Sequence, residues 1–498
     1  MKERIRSINL ILFLFILLGF FLAVINFFHF RSLWTDEASL ALNIVNKPVK
    51  ELLKPLDYEQ VAPIGFLVVE KAFSSIFGDT DWSLRIFPLL VFFPSVYLMY
   101  KLASTIFKNK SFALFAAAFF SLSYYPLYYS AEVKQYMVDV FICLSITLST
   151  MLFAKTDGKK YWGVYALIGI ISVWVSNISV ILLFSAGLYF FYKNRKKKQN
   201  YFAVIKVVGS WAISFIIYYF LFVFKHPSQQ FMVDFWSNAN AFLPKNILST
   251  EFYYSLYLKI TELYSLLGYR EYTIVFCVIS LLGLRYLMTA KKEVIFIVLT
   301  PIIIHLLLSY FKFYPFHARL ILYQYPLLII IFLASIYQLF YLLKNRTQRL
   351  SLYLLILPLI TNLIILHKNE FPFEKQEIKN SLIQINKEIK DGDKIYVYHR
   401  TFRAFSFYKS NYQELARLDK NNIIIGQSSI NNWTKYNKVI KNINGNIWIL
   451  FSHVYSHDGQ NEESYIINLF QQNDFKIVEE HKYKGSSVYK VVKTDLND

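Results

Sequence analysis

The sequence predicts an α-helical polytopic membrane protein with about eleven transmembrane helices, followed by a C-terminal soluble α/β domain. Apolar runs of about 20 residues, each long enough to cross a ~30 Å hydrocarbon layer as a helix, recur through the first three quarters of the chain. Basic residues gather in alternate loops between these runs. At about Lys368 the apolar runs stop and helix-period and strand-like segments alternate. Bulk composition agrees, for the 498 residues are 55% hydrophobic, 19% aromatic and only 17% charged. With a mean hydropathy of +0.36, this excludes a soluble enzyme, a disordered chain, a fibre and a disulfide scaffold.

The first run, Ile8 to Phe28, follows Lys2, Arg4 and Arg6. It is too long for a signal-peptide core and has no small-residue cleavage site, so it reads as a retained span. Further spans are expected at 84–107, 111–128, 136–154, 161–176, 178–192, 201–224, 272–290, 293–311, 319–343 and 350–367. Positively charged loops resist translocation. With the N-terminus inside, the cytoplasmic loops carry Lys108 and Lys110; Lys155, Lys159 and Lys160; Lys193, Arg195, Lys196, Lys197 and Lys198; Lys291 and Lys292; and Lys344, Arg346 and Arg349. The loops 29–83 and 225–270 and the tail then face outward from a cytoplasmic (inner) membrane. Two domains are expected, a transmembrane part over 1–367 and an extracytoplasmic α/β part over 368–498.

The net charge of +20, from 53 Lys and Arg against 33 Asp and Glu, is the footprint of this topology rather than of a nucleic-acid groove, so no nucleic-acid partner is expected. The run Lys193 to Lys198 reads as an anchor against anionic membrane lipids. Cys143 and Cys277, the only cysteines, lie in apolar runs and promise neither a disulfide nor a metal site. In the tail, an amphipathic helix at 374–390 and a turn at Asp391, Gly392 and Asp393 lead into short β-rich runs at 394–399, 422–425, 447–451, 475–482 and 487–493. No G-x-G-x-x-G or Walker pattern opens a helix there, which argues against a nucleotide site. Asp393, Tyr396, His399, Arg400 and Arg403 read as solvated surface.

The chemistry concentrates at the expected outer boundary. Asp36 and Glu37 stand just after the first span, where a carboxylate is costly unless solvated, paired or used; the alternative is a helix N-terminus whose dipole the two acids complement. The same loop continues through Tyr58, Glu59, Gln60, Val61, Ala62 and Pro63 to Gly78, then Leu84, Arg85 and Pro88. Glu132, Val133, Lys134, Gln135 and Tyr136 head the fourth span. Lys134 is a basic residue in a short turn expected to face outward, against the charge rule, and an anionic partner such as a phosphate would account for it; a local pair with Glu132 is the alternative. The tyrosines from Tyr124 to Tyr129 read as interfacial belt residues first.

This order of features resembles the GT-C superfamily of integral membrane glycosyltransferases, particularly the bacterial relatives of protein O-mannosyltransferases and of the aminoarabinose transferase that modifies lipid A. The resemblance covers about 1–367. It rests on Asp36-Glu37 opening the first outer loop, on Pro63, Gly78 and Leu84-Arg85 with Pro88, on Glu132 to Tyr136, and on Arg319 followed by an apolar run to Pro326. Lys134 stands where the family usually has Arg, and Val61-Ala62-Pro63 replaces a more usual His-Pro-Pro.

The resemblance implies a polyprenyl-phosphate-linked sugar as donor, a protein, lipid or glycan hydroxyl as acceptor, and inversion at the anomeric carbon. Asp36 is then the expected general base, with Glu37 as neighbour or substitute, and Lys134, Arg319 and Arg85 the donor-phosphate ligands. Glu132, Gln135, Tyr136, Tyr58 and His317 are the expected further substrate contacts. A phosphate leaving as an anion needs no general acid, which separates such a site from the two-carboxylate pair of glycoside hydrolases. No cofactor or metal is expected: a divalent cation at the acidic loop is conceivable, but no His-x-x-x-His or clustered acidic spacing calls for one. The competing reading is a transporter or flippase for a lipid-linked or polar solute, which would place ionisable residues near the bilayer midplane.

Overall fold

The computed structural model describes residues 2–153, 162–194, 198–268, 273–342, 355–420, 422–426, 433–457 and 460–494. Lys155, Lys159, Lys160, Arg195, Lys196, Lys197, Lys344, Arg346 and Arg349 of the expected cytoplasmic loops lie outside them. The chain is an integral membrane protein. Among the described residues seven helices are long and apolar enough to cross a bilayer: Arg6–Phe28, Ser83–Phe107, Tyr136–Phe153, Tyr201–Val223, Thr273–Ala290, Lys292–Tyr310 and Ala318–Leu342. Four other expected spans are helical but shorter, at Lys110–Ser121, Trp162–Val175, Ser179–Asn194 and Ile356–Lys368.

The stretch expected as one helix over 111–128 is two, Lys110–Ser121 and Tyr124–Tyr129. Pro126 has no amide to bond back to Leu122. Ser123 sits at the break, its Oγ donating to the Phe119 carbonyl at 2.5 Å and accepting from Asn362 Nδ2 at 3.1 Å and from the Tyr325 hydroxyl. The Ser123 hydroxyl at the break is thus fully engaged, as an apolar surrounding requires.

Two compact units divide the chain. One comprises Met1–Phe28, Val49–Glu70 and Arg85–Phe371, and the other His29–Pro48, Lys71–Leu84 and Pro372–Asp498. The first is the helical unit. Its first helix leaves Leu10, Phe13, Leu14, Leu17 and Phe21 exposed, as lipid-facing side chains are, whereas the helix Tyr325–Leu342 is buried from Tyr325 through Ser335. Gly283 lets the helix Thr273–Ala290 approach that buried helix, since a Cβ there would overlap the Ile331 carbonyl. His305, wholly buried, is satisfied by Tyr323 Oη at 3.0 Å and Gln324 Nε2 at 2.9 Å on Nδ1 and by the Pro315 carbonyl at 3.0 Å on Nε2.

The second unit is built on a five-stranded sheet in the order β2-β1-β3-β7-β6, with β1 Lys394–Val397, β2 Asn422–Ile425, β3 Ile447–Ser452, β6 Phe475–Tyr483 and β7 Ser486–Lys493. A separate ribbon pairs β4 (Ser456–His457) with β5 (Gln460–Asn461). β1 runs parallel to β2 and β3, with Ile395 opposite Ile423 and Trp448; β7 runs antiparallel to β3 and β6. The central β3 reads IWILFS and is buried throughout, the continuous apolar run of a strand covered on both faces. Edge strand β6 instead alternates. The helix Ile378–Glu388 buries Ile378, Ser381, Leu382 and Ile385, the i, i+3, i+4, i+7 stripe of an amphipathic helix.

Polar bonds explain why two pieces of the expected outer loop cluster with the tail. Ser32 N–H donates to Glu377 at 3.3 Å, and Thr35 N–H to Gln376 Oε1 at 3.1 Å. Asp81, 2% exposed, accepts from Tyr408 Oη at 3.0 Å, Tyr412 Oη at 2.5 Å and Lys379 Nζ at 2.9 Å. Asp393 and Tyr396, expected as solvated surface, are buried. Asp393 accepts from the Lys390 amide at 3.0 Å and the Trp448 indole at 3.3 Å, and Tyr396 packs edge-on against Phe470.

Candidate active site

In the helical unit two of the candidate cations, Lys134 and Arg319, lie at the entry to the helix Tyr136–Phe153. The chain between Tyr129 and Tyr136 is a tight turn in which the Lys134 amide bonds the Glu132 carbonyl at 2.7 Å. It places Glu132 and Lys134 at 1% and 6% exposure. Lys134 Nζ donates to Gln60 Oε1 at 2.8 Å. Gln60 is presented by two consecutive left-handed residues, Tyr58 at φ 61° and Glu59 at φ 54°, and its own amide returns to the Tyr58 carbonyl at 3.3 Å. Tyr58 therefore shapes the turn through its backbone. Gln135 Oε1 is buried with no hydrogen-bond partner among the described residues, a costly arrangement for an amide oxygen.

Arg319 is the second residue of the 3₁₀ turn Ala318–Gln324, and its guanidinium lies 5.7 Å from the centre of the Tyr136 ring, within cation–π range. Tyr136 meets Tyr129 edge-on at 5.2 Å, and the Tyr129 hydroxyl is within electrostatic reach of Glu132, Tyr136 and Arg319. The structure thus brings Lys134, Glu132, Gln135, Tyr136 and Arg319 to one region. His317 is engaged elsewhere: its Nδ1 lies 2.6 Å from Glu262 and its ring faces Trp236. Arg85, 2% exposed, ends the turn Ser83–Arg85 and caps the helix Ile86–Phe107.

In the sheet unit, the helix Thr35–Asn46 carries Asp36 and Glu37 in its first turn, where the helix dipole favours carboxylates. Glu37 is wholly buried and Asp36 half-buried. Lys375 Nζ sits 3.2 Å over the Trp34 ring, Arg403 Nη1 reaches Ser39 Oγ at 3.3 Å, and the Arg400 guanidinium stacks 3.7 Å from Tyr455. Gln376, which accepts from the Thr35 amide, also meets His453 Nδ1 at 2.5 Å.

Burial pushes the His453 imidazole down to about 4, with Arg400, Lys375 and Arg403 adding repulsion and Asp36 opposing. Burial, then Arg400 and Arg403, lowers His399 to about 4 as well. Both rings are neutral at pH 7, and His453 lies within electrostatic reach of Arg400, Lys375, Arg403 and Asp36. A cavity of about 390 Å³ alongside is lined by Lys375, Gln376, His453, Glu463, Lys482 and Ser487 among others. Glu388, Glu479 and His481 bring one potential ligand atom each within 4.8 Å of one another, but Glu479 already holds Lys490 at 2.8 Å, which supplies the counter-charge a metal would.

Sequence reasoning missed Gln60, Lys375, Gln376 and His453, and placed Arg400 and Arg403 on open surface. Gln60 lay inside a segment already singled out, and the left-handed pair before it left no compositional trace. Lys375, Gln376 and His453 have no motif; only the fold brings 34–39, 375–376, 400–403 and 453 together.

The family model of dolichyl-phosphate-mannose-protein mannosyltransferases matches residues 61–219. No curated protein matches the chain in sequence. Among solved structures, ArnT from Cupriavidus metallidurans bound to undecaprenyl phosphate matches with a TM-score of 0.53 at 11% identity, over 96% of this chain and 97% of that one. The same protein in its apo state matches with a TM-score of 0.55 at 11% identity, over 95% and 97%. The chain therefore has the ArnT-like, GT-C fold that the order of its sequence features led one to expect, with helical part and small C-terminal sheet both included.

Proposed function

We propose that this chain is a glycosyltransferase that moves a sugar from a polyprenyl-phosphate donor to an acceptor hydroxyl of a protein, lipid or glycan, with inversion, at the outer face of the cytoplasmic membrane. The ArnT structure that shares this fold holds undecaprenyl phosphate, which supports a donor of that chemical class. The side assignment rests on the basic loops, with the N-terminus taken as cytoplasmic.

In the proposed reaction Asp36 takes the proton of the acceptor hydroxyl as its oxygen attacks the anomeric carbon. The bond from that carbon to the phosphate oxygen breaks, and the polyprenyl phosphate departs as an anion held by Lys134, Arg319 and Arg85. Asp36 suits the base role better than Glu37 because its half-buried carboxylate can be reached by an acceptor hydroxyl, whereas Glu37 is wholly enclosed. Glu132 and Gln135 serve as polar contacts beside the phosphate ligands. Tyr58 shapes the turn that presents Gln60, and His317 precedes the turn that carries Arg319, so both are proposed as further contacts beside the phosphate ligands.

The observation that carries the proposal is the buried cation Lys134, held by Gln60 in the same region as Arg319 and Tyr136. Ammonium and guanidinium groups held together at helix entries are chemically suited to a phosphate, which both bind by charge-assisted hydrogen bonds. The test is to offer the purified full chain a panel of polyprenyl-phosphate sugars with candidate acceptors, alongside Asp36→Asn and Lys134→Ala. Sugar transfer abolished by both substitutions is expected. Directional solute flux in vesicles without any sugar-lipid turnover would replace this reading with a transporter.

A further inference from the structure

Arg319 is carried by a turn that begins in a strained conformation. Ala318, the residue before it, has φ 34°, in the left-handed region that a side chain with a Cβ avoids. Such a conformation persists only where its surroundings hold it. Here the holder is Glu262 in the helix Thr250–Ser265: its Oε1 accepts from the Ala318 amide at 2.5 Å and faces His317 Nδ1 at 2.6 Å. The other oxygen, Oε2, lies 3.8 Å from Lys259 Nζ, and Lys259, itself buried, donates to the Asn240 carbonyl at 2.5 Å. The segment before the turn is tied to the same loop, since the Phe316 amide and Ser309 Oγ both donate to the Ala241 carbonyl, at 2.9 and 3.1 Å.

The far end of the turn is equally fixed. Tyr323 and Gln324 bond the buried His305, and the Leu320 amide closes onto the His317 carbonyl at 2.9 Å. With both ends anchored, the direction in which Arg319 leaves the backbone is set by the left-handed step at Ala318. That step depends on one carboxylate.

We propose that Glu262 is the positioning residue for Arg319: its carboxylate clamps His317 and the left-handed Ala318, and thereby aims the guanidinium at the donor phosphate beside Tyr136. This deepens the transferase reading and rests on it. Loss of the clamp frees Ala318 to relax to negative φ and turns Arg319 away from Tyr136, while leaving the transmembrane packing untouched. Glu262 itself touches no substrate.

The test combines a kinetic cycle with a measurement that needs no turnover. Glu262→Ala should lower kcat/KM for the lipid-linked donor about 10–100-fold, mostly through KM, since a guanidinium that grips the phosphate does so before the bond breaks. In an Arg319→Ala background the same substitution should change little, because the residue it aims is gone. Glu262→Gln, which keeps the oxygen facing the Ala318 amide, should retain more activity than Glu262→Ala. Ala318→Gly added to Glu262→Ala should recover part of the loss, glycine taking positive φ without strain.

Hydrogen exchange of the full-length protein should show faster exchange over 318–320 in Glu262→Ala and unchanged exchange in the helix Tyr136–Phe153. Equal losses from Glu262→Ala with and without Arg319 would overturn the proposal, as would unchanged exchange over 318–320. A parent protein that exchanges as expected but turns over no donor would instead remove the transferase reading, leaving the clamp as a property of the turn alone.

Discussion

Replacing Lys134 with methionine separates a phosphate-binding cation from a structural one. Methionine keeps the unbranched apolar stem and removes only the ammonium, so packing around this 6%-exposed side chain is preserved. The structural loss includes the 2.8 Å bond to Gln60, about 1 kcal/mol net. The catalytic loss is that of a preorganised charge at the leaving phosphate, roughly 3–4 kcal/mol and so about 10²–10³ in kcat. A Gln60→Met companion reports the cost of that bond, since it removes the same hydrogen bond and leaves the cation in place. Turnover of a polyprenyl-phosphate sugar by detergent-solubilised protein, with Tm measured on the same samples, distinguishes the two. The expected result is a hundredfold or greater drop for Lys134→Met against less than tenfold for Gln60→Met, at similar Tm. Equal drops for both, or a Lys134→Met enzyme within threefold of the parent, would refute the phosphate role.

Asp36→Asn should cost about 10²–10⁴ in kcat, and azide, a nucleophile with no proton to lose, should partly restore glycosyl transfer in Asp36→Asn but not in Lys134→Met; product analysis by mass spectrometry decides it. His453, lowered from its ordinary value near 6.5 to about 4, binds fewer protons folded than unfolded between those values, so its contribution is present above about pH 6.5 and is lost as pH falls towards 4. At ~1.4 kcal/mol per pH unit the ceiling is about 3 kcal/mol, and partial exposure of the ring reduces it to roughly 1–2 kcal/mol; Tm of the full chain should fall from pH 7 to 4.5, and less steeply in His453→Gln. Glu70 is wholly buried with both carboxyl oxygens unpartnered among the described residues, and burial raises its pKa well above the usual carboxylate range. Glu70→Leu should therefore raise Tm, by an amount corresponding to about 1–3 kcal/mol, and a lower Tm would refute the destabilising role of the buried carboxyl.

The helical and sheet parts were legible because each leaves a long signal, twenty-residue apolar runs in one case and period changes with buried strands such as IWILFS in the other. The interruption at Ser123 was signalled only by Pro126, which the surrounding aromatic run masks, and its polar partners Asn362 and Tyr325 arrive from distant helices. The association of 29–48 and 71–84 with the tail was hidden for a related reason: its anchors are single polar side chains, as with Lys379 meeting Asp81 from 298 positions away. Lys134 stood out because it breaks a charge rule. Gln60, His453 and Glu262 break none, and their roles exist only through tertiary neighbours.

The positions of the three proposed phosphate ligands along their helices bear on the choice between transfer and transport. Arg85 caps the helix Ile86–Phe107, Lys134 lies two residues ahead of Tyr136–Phe153, and Arg319 lies in the turn that leads into Tyr325–Leu342. Each cation therefore stands at or just ahead of the start of a helix, where the helix dipole favours an anion. A transporter places its coupling charges within the span, near the midplane and on broken helices. Cations confined to helix entries favour an anion that arrives at the membrane boundary and stays there, as the phosphate of a polyprenyl carrier does while its chain remains in the hydrocarbon. The sugar is then the part of the donor that must move, and a carboxylate with no paired acid is sufficient chemistry to move it, because the leaving phosphate carries its own negative charge.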